Sequence, residues 1–264
     1  TIRRDNLALW KDAGINRISF GAHTMRDTVI QSCSDSREAC ASLFNAISAH
    51  GYTIATDIII GSADISPEEW RRRMHHIVTH NVQHVTLAFA DEYENRSWSE
   101  DEVVTAYEWA ADYLIAHGFE RYELFNFCKP GFASKHHEAY WNHVLYKGFG
   151  SGACSFDGVT RFQNETDIVA YCERIEQGHD ATMIAETLTN EQRDLERLMM
   201  GLRRKKGIAR DEVVAMASDK KKEHCKQVIE MLLNKKFLIE RDGKLMLAAR
   251  GLMLENEIIM QLVK

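Results

Sequence analysis

The sequence is short of the residues that punctuate or staple a chain. Two prolines among 264 residues, Pro67 and Pro130, leave no room for a proline-rich linker. Six cysteines, at positions 33, 40, 128, 154, 172 and 225, include no CxxC pair and no zinc-ligand spacing. That pattern excludes a secreted disulfide scaffold, and the cysteines read as reduced thiols. No apolar run approaches the length of a membrane span, and no stretch has the charged, apolar and small-residue succession of a signal peptide. A cytoplasmic location is therefore expected. What is present is an ordinary globular composition, 45% hydrophobic and 27% charged, long enough for one large or two modest cores.

Charge is unevenly spread. Residues 190–264 carry 17 Lys and Arg against 12 Asp and Glu, net +5, whereas the first 189 carry 16 against 27, net −11. A small basic part follows a larger acidic one.

Residues 1–118 repeat a unit of helix, glycine and β-branched strand. Helix 7–13 ends at Gly14 before INRISFG, and helix 39–50 ends at Gly51 before YTIATDIIIG. The third helix opens with a capping box, Ser66-Pro67-Glu68-Glu69, puts Trp70, Met74, Ile77 and Val78 on one face, and leads to VQHVTLAFA. A fourth starts at Ser99-Glu100-Asp101-Glu102 and ends at His117-Gly118. Such alternation predicts a parallel sheet with right-handed crossovers and chemistry at the carboxyl ends of its strands, here residues 21–24, 57–62 and 88–91. Three parallel strands do not close a barrel, and a helix with no strand before it opens the chain. Either the chain forms a small open α/β sheet or an upstream part of a barrel precedes residue 1, and the second is expected.

Asp57 is an ionised side chain inside an apolar strand: either an acceptor for a ligand hydroxyl or ammonium group, or a carboxylate satisfied by backbone amides. His23, after the first strand, is likewise a ligand contact or a satisfied polar group. His76 and His80 lie four apart on the third helix, but no carboxylate or cysteine completes a metal set.

The densest stretch is 119–156. It combines an apolar strand from Tyr122 to Phe127, a Pro130-Gly131 turn, His136-His137, Tyr140-Trp141, and glycines 148, 150 and 152. Aromatic rings beside paired imidazoles and bare backbone suit a large flat apolar ligand; the alternative is a structural turn with surface histidines. Beyond it, VTRFQN reads as a strand and 166–178 as a helix. A capping box at Thr189-Asn190-Glu191-Gln192 opens another helix, followed by helices near 211–217 and 223–234 and a hairpin through Asp242-Gly243. Helices followed by a two-stranded wing predict a winged-helix fold. Glu223 and Glu230 among the lysines of its long helix favour a bracing role over nucleic-acid binding.

Several of these segments together resemble the HemW and HemN group of radical S-adenosylmethionine (SAM) proteins, the oxygen-independent coproporphyrinogen III oxidases and related heme chaperones. GINRISFGAHT resembles the group's strand ending in Gly-Val-Gln-Ser, and TDIIIG resembles its Asp-Leu-Ile-x-Gly strand. RYELFNFCKPGFASKHHEAYW resembles the YEISNFARPG...HNxxYW stretch, YKGFGSGACSF resembles YLGLGPGAHSF, and the end of the chain resembles the HemN C-terminal domain. The resemblance covers nearly the full chain. It implies an α/β fold: the C-terminal part of a partial (β/α) radical-SAM barrel in 1–118, an accessory sheet with the HHEAYW segment in 119–188, and a winged-helix-like domain in 189–264.

It further implies a HemW-like protein of heme metabolism that binds or transfers heme, with coproporphyrinogen III dehydrogenation and radical-SAM heme-degrading methylation as enzymatic alternatives on the same scaffold. SAM falls to His23 and Asp57. Heme or a porphyrinogen falls to His136, Tyr140 and Trp141, with His136 as the iron ligand and a heme-receiving protein as a partner. The family's CxxxCxxC loop, which holds a [4Fe-4S] cluster, has no counterpart here and is expected upstream, as are its Gly-Gly-Thr segment and a glutamate that contacts SAM. This chain alone is therefore expected to build no cluster and to be inactive. Inside the matched region the family glutamine falls at His23, its arginine near Cys33, its Leu-Pro-Gly-Gln at Ser62-Ala63-Asp64-Ile65, the histidine of GAHS at Cys154, and the asparagine of HNxxYW at His137. The tetrapyrrole part is kept better than the SAM part.

Overall fold

A computed structural model of the chain describes residues 4–21, 36–63, 65–90 and 98–263. It forms two compact units, 1–133 and 134–264. The first contains α1 (Arg4–Asp12), β1 (Arg17–Gly21), α2 (Ser36–Ala49), β2 (Thr53–Ile60), α3 (Pro67–Thr79), β3 (His84–Phe89), α4 (Glu100–Ala116), β4 (Glu120–Arg121) and β5 (Asn126–Cys128). Its five-stranded sheet has the order β1-β2-β3-β5-β4. β1, β2 and β3 are parallel, as the alternating pattern predicts, and β5 runs antiparallel to both β3 and β4. Among the described residues the sheet is open.

Local chemistry sets the helix ends. Gly51 and Gly118 follow α2 and α4 at φ +70° and +79°, a conformation that costs a side-chain-bearing residue but not glycine. Ser99 and Glu102 form a reciprocal capping box at α4. At α3 the expected box is half made. Ser66 accepts from the Glu69 amide at 3.2 Å, but the Glu69 carboxylate turns along the helix to Arg72 and Arg73, at 2.8 and 3.3 Å. Ile54, Ile58 and Ile60 of β2 and Val85 and Leu87 of β3 are buried, as are Phe44, Trp70, Met74, Ile77 and Leu114 of the helices. Trp70 Nε1 donates to the Ile59 carbonyl at 2.9 Å, pinning α3 to the end of β2. No helix among the described residues is long and apolar enough to cross a membrane.

The expected single strand from Tyr122 to Phe127 is broken. Glu123 folds its carboxylate back to accept from the Phe125 amide at 2.9 Å and from Asn126 Nδ2 at 2.7 Å. The Phe125 amide, which a continuing strand would have offered to a neighbour, is thus satisfied within the turn. The chain reverses, with the Tyr122 amide donating to the Asn126 carbonyl at 3.1 Å, and β4 and β5 become a hairpin on the parallel sheet.

The second unit holds α5 (Lys135–Trp141), β6 (Cys154–Phe156), β7 (Thr160–Asn164), α6 (Ile168–Glu176) and β8 (Thr182–Thr187), with an antiparallel sheet in the order β6-β7-β8. β6 and β8 were not legible as strands; β8 is almost wholly exposed and lacks the alternation that marks a half-buried strand. The rest is α7 (Asn190–Arg203), β9 (Ile208–Ala209), α8 (Arg210–Met216), α9 (Lys222–Asn234), β10 (Leu238–Arg241), β11 (Lys244–Leu247), a 3-10 turn and α10 (Glu255–Val263). The sheet order β10-β11-β9 gives the winged-helix arrangement that the hairpin signal predicts. Asp242 and Gly243 both take positive φ, +51° and +69°, the two-residue turn whose twist suits a hairpin. On α9, Lys222 and Lys226 face Asp219 and Glu223 at 2.7 and 3.7 Å, and Glu230 pairs with Arg210 at 2.5 Å. The exposed charge of this helix is largely self-neutralised.

Candidate functional site

Each unit carries a candidate site. In the first, the residues of β2 that alternate with its buried isoleucines put Asp57 on the opposite sheet face, half-buried. Register pairs Asp57 with Gly21 of β1 and Thr86 of β3, and Thr86 with Asn126 of β5, so four residues form a row across the sheet. Thr86 Oγ1 donates to Asn126 Oδ1 at 3.1 Å, and Asn126 Nδ2 donates to Glu123, whose side chain is only 1% exposed. Both ends of the Asn126 amide are thereby committed and its orientation follows from the network. Behind this row, the buried His84 has Nε2 2.7 Å from the Tyr122 hydroxyl. The Asp57 backbone is held in the ladder, while its carboxylate makes no hydrogen bond or ion pair with the other described residues. It stands as an acceptor at the end of an ordered polar row. His23 lies outside the described residues, as do Cys33 and Asp64.

In the second unit, Ser134 accepts from the His137 amide at 3.4 Å and starts α5. On a helix, residues four apart share a face, which sorts the HHEAYW segment into two pairs. His136 and Tyr140 have ring centroids 4.7 Å apart at 89°, and both are exposed. His137 and Trp141, 5.6 Å apart, are half-buried. The helix thus brings His136 to Tyr140 and puts Trp141 with the neighbouring histidine. After α5 the chain returns so that the Tyr146 ring lies 4.6 Å from Tyr140 at 73°, and Phe156 lies 6.2 Å from Tyr146. Tyr146 and Phe156 exchange backbone hydrogen bonds of 3.0 and 2.9 Å. A side chain at Gly148 would stand 2.2 Å from the Cys154 carbonyl oxygen, so this crossing requires glycine. Across the β6–β7 hairpin Phe156 pairs with Arg161, whose guanidinium sits 5.9 Å from the Phe156 ring and bonds Glu196 at 2.9 Å. Burial pushes the Tyr146 phenol pKa up, against a smaller opposing pull from Arg161. The result is a ladder of rings running from an exposed imidazole to a guanidinium.

Phe156 also borders a cavity of about 440 Å³, lined with His143, Arg193, Asp194, Glu196 and Arg197. His143 has φ +52°, and its burial lowers the imidazole pKa. Sequence reading did not single out Tyr146, Phe156 or Arg161 as site residues. The signal was in SFDGVTRF: a hairpin about Asp157-Gly158 puts Phe156 opposite Arg161. Thr86, Asn126 and Glu123 were also missed, because only strand register reveals the row.

The donor sets fit the implied groups unequally. Cys128 and Cys225 are buried, Cys154 and Cys172 are exposed, and among the described residues no three His, Cys, Asp or Glu side chains are placed to hold a metal. These residues do not fit an iron-sulfur cluster. Asp57 fits an acceptor for SAM hydroxyl or ammonium groups. An exposed imidazole flanked by rings fits heme iron and its macrocycle.

No known family profile matches the chain. It is 24% identical over 270 residues to the heme chaperone HemW of Bacillus subtilis, covering 96% of this chain and 71% of that protein. It is 25% identical over 267 residues to HemW of Lactococcus lactis, covering 94% and 69%. The coproporphyrinogen III oxidase HemN of Escherichia coli, a radical-SAM enzyme, superposes with a TM-score of 0.71 at 15% identity, over 99% of this chain and 67% of that one. The chain is HemW-like in sequence along nearly its whole length and HemN-like in fold, as the motif resemblance implies.

Proposed function

We propose that this chain supplies the heme-binding part of a HemW-like radical-SAM protein that binds and hands on heme in the cytoplasm. The observation that carries the reading is the exposed His136–Tyr140 pair on α5, a free-standing imidazole with a ring set against it at 89°. In this reading His136 Nε2 or Nδ1 coordinates the iron, Tyr140 and Tyr146 cover one side of the macrocycle, and Trp141 steadies α5 from its other face. Burial of apolar ring area, at about 25 cal/mol per Å², supplies most of the affinity. Asp57 holds the ribose or amino-acid part of SAM, the group that provides radical chemistry when a cluster is present. Thr86, Asn126 and Glu123 keep the sheet face beside Asp57 rigid and polar. The roles proposed here are those of binding and positioning residues.

The test is a hemin titration followed by the Soret band, with wild type, His136→Ala, Tyr140→Ala and His137→Ala. Expected is a loss of at least about tenfold in affinity for His136→Ala, with a changed ligation spectrum, a smaller loss for Tyr140→Ala, and little change for His137→Ala. Wild-type affinity and spectrum in all three variants would sink the reading.

A further inference from the structure

We propose that Arg161 binds a carboxylate on the rim of the macrocycle held by His136 and Tyr140, so that the site selects a tetrapyrrole by its acidic side chains as well as by its ring. This deepens the heme reading and rests on it. Rings at Tyr140, Tyr146 and Phe156 follow one another at 4.6 and 6.2 Å and end at the Arg161 guanidinium, 5.9 Å from Phe156. The Arg161 side chain is 40% exposed, so a bound ligand can reach it. Its Nη2 lies 2.9 Å from both oxygens of Glu196. That pairing to Glu196 goes through Nη2 alone, and the Tyr146 side chain also bonds the guanidinium, so of its five N–H donors some remain for a second carboxylate. Glu196 thus holds the guanidinium in place while competing for its charge.

Apolar rings alone would accept any flat aromatic of sufficient area. A guanidinium at the end of the ladder distinguishes a macrocycle bearing propionates from one without them, and it fixes which edge of the ring lies toward β7. Arg161 is a binding residue for the ligand rim, not an iron ligand, and its loss should leave the axial coordination by His136 unchanged.

The experiment compares hemin with hemin dimethyl ester, in which both carboxylates are blocked, on the 264-residue chain as wild type, Arg161→Gln and Glu196→Gln. Wild type should bind hemin about tenfold more tightly than the ester, a difference that one charge-assisted hydrogen-bonded pair supplies. Arg161→Gln should bring hemin affinity down to that of the ester while leaving ester affinity and the Soret position unchanged. Glu196→Gln, which frees the guanidinium, should tighten hemin and not the ester. Equal wild-type affinity for the two ligands overturns the proposal, as does an equal loss for both in Arg161→Gln, which would make Arg161 a structural residue. If hemin binding depends on His136 and the Arg161 results fail, only the present inference falls. If hemin does not bind, or binds without regard to His136, the heme reading falls and takes this inference with it.

Discussion

The two candidate sites are built by opposite means. In the row at Asp57, Thr86 and Asn126, carried by three strands, Thr86 is bonded to the Asn126 amide and that amide to the Glu123 carboxylate in the adjoining turn, a residue only 1% exposed. The ladder from His136 to Arg161 is carried by a seven-residue helix, an irregular segment and a hairpin, and its outer rings face solvent. Ordered polar groups suit a ligand read by its hydroxyl and ammonium groups, because their orientation is fixed before the ligand arrives. Exposed rings suit a ligand held by apolar area, and they contribute little to stability until something covers them. One region is bound into the stability of its unit, and the other is not.

The sharpest break of that comparison is Glu123→Ala. It leaves the Phe125 amide and the Asn126 amide group without their acceptor in a buried place and removes the turn that joins β4 to β5. A loss of about 3 kcal/mol is expected from buried donors left unpaired. Urea unfolding followed by tryptophan fluorescence measures it, because four of the five tryptophans, Trp10, Trp70, Trp98 and Trp109, belong to the first unit. A loss below about 0.5 kcal/mol would mean that the row is ornamental. Thr86→Val, which removes one donor at constant shape, should cost about 1 kcal/mol in the same assay.

Tyr140→Ala sharpens the contrast from the other side. Its ring is 40% exposed, so stability should change by no more than about 0.5 kcal/mol, even though hemin affinity falls. A large loss of stability would show that the ladder is core packing, and the contrast between the regions would disappear.

What the sequence made legible follows the same division. The parallel strands, capped helices and winged hairpin were readable because periodicity and capping residues act within a few positions of where they are written. Asp57 stood out because a charge in TDIIIG breaks a strand pattern. Its row did not, because Thr86 and Asn126 meet only through register across three strands. The break at Glu123 was hidden for a related reason: its carboxylate competes with the strand ladder through its own backbone, and no periodicity records that. HHEAYW showed two histidines pointing different ways, but which one faces solvent depends on how α5 packs.

The smallest expected effect concerns His143, at the end of α5. Burial lowers its pKa, with Glu196 pulling it up and Arg197, Arg204 and Arg161 adding to the depression. The folded state therefore releases the proton at a lower pH than the unfolded chain, whose imidazole titrates near 6.5. The stabilising contribution of the neutral ring is complete above that value and is lost as pH falls below about 6.5 through the folded pKa. His143→Asn removes the titration and keeps a residue that tolerates φ +52°. Thermal unfolding of wild type and variant between pH 7.5 and 5.5 should show the wild-type midpoint falling more steeply with acid, since every other histidine cancels in the difference. Parallel pH profiles would mean that His143 takes its proton in the folded state as readily as in water, and that the cavity bordered by Phe156 and Glu196 is wet at that end.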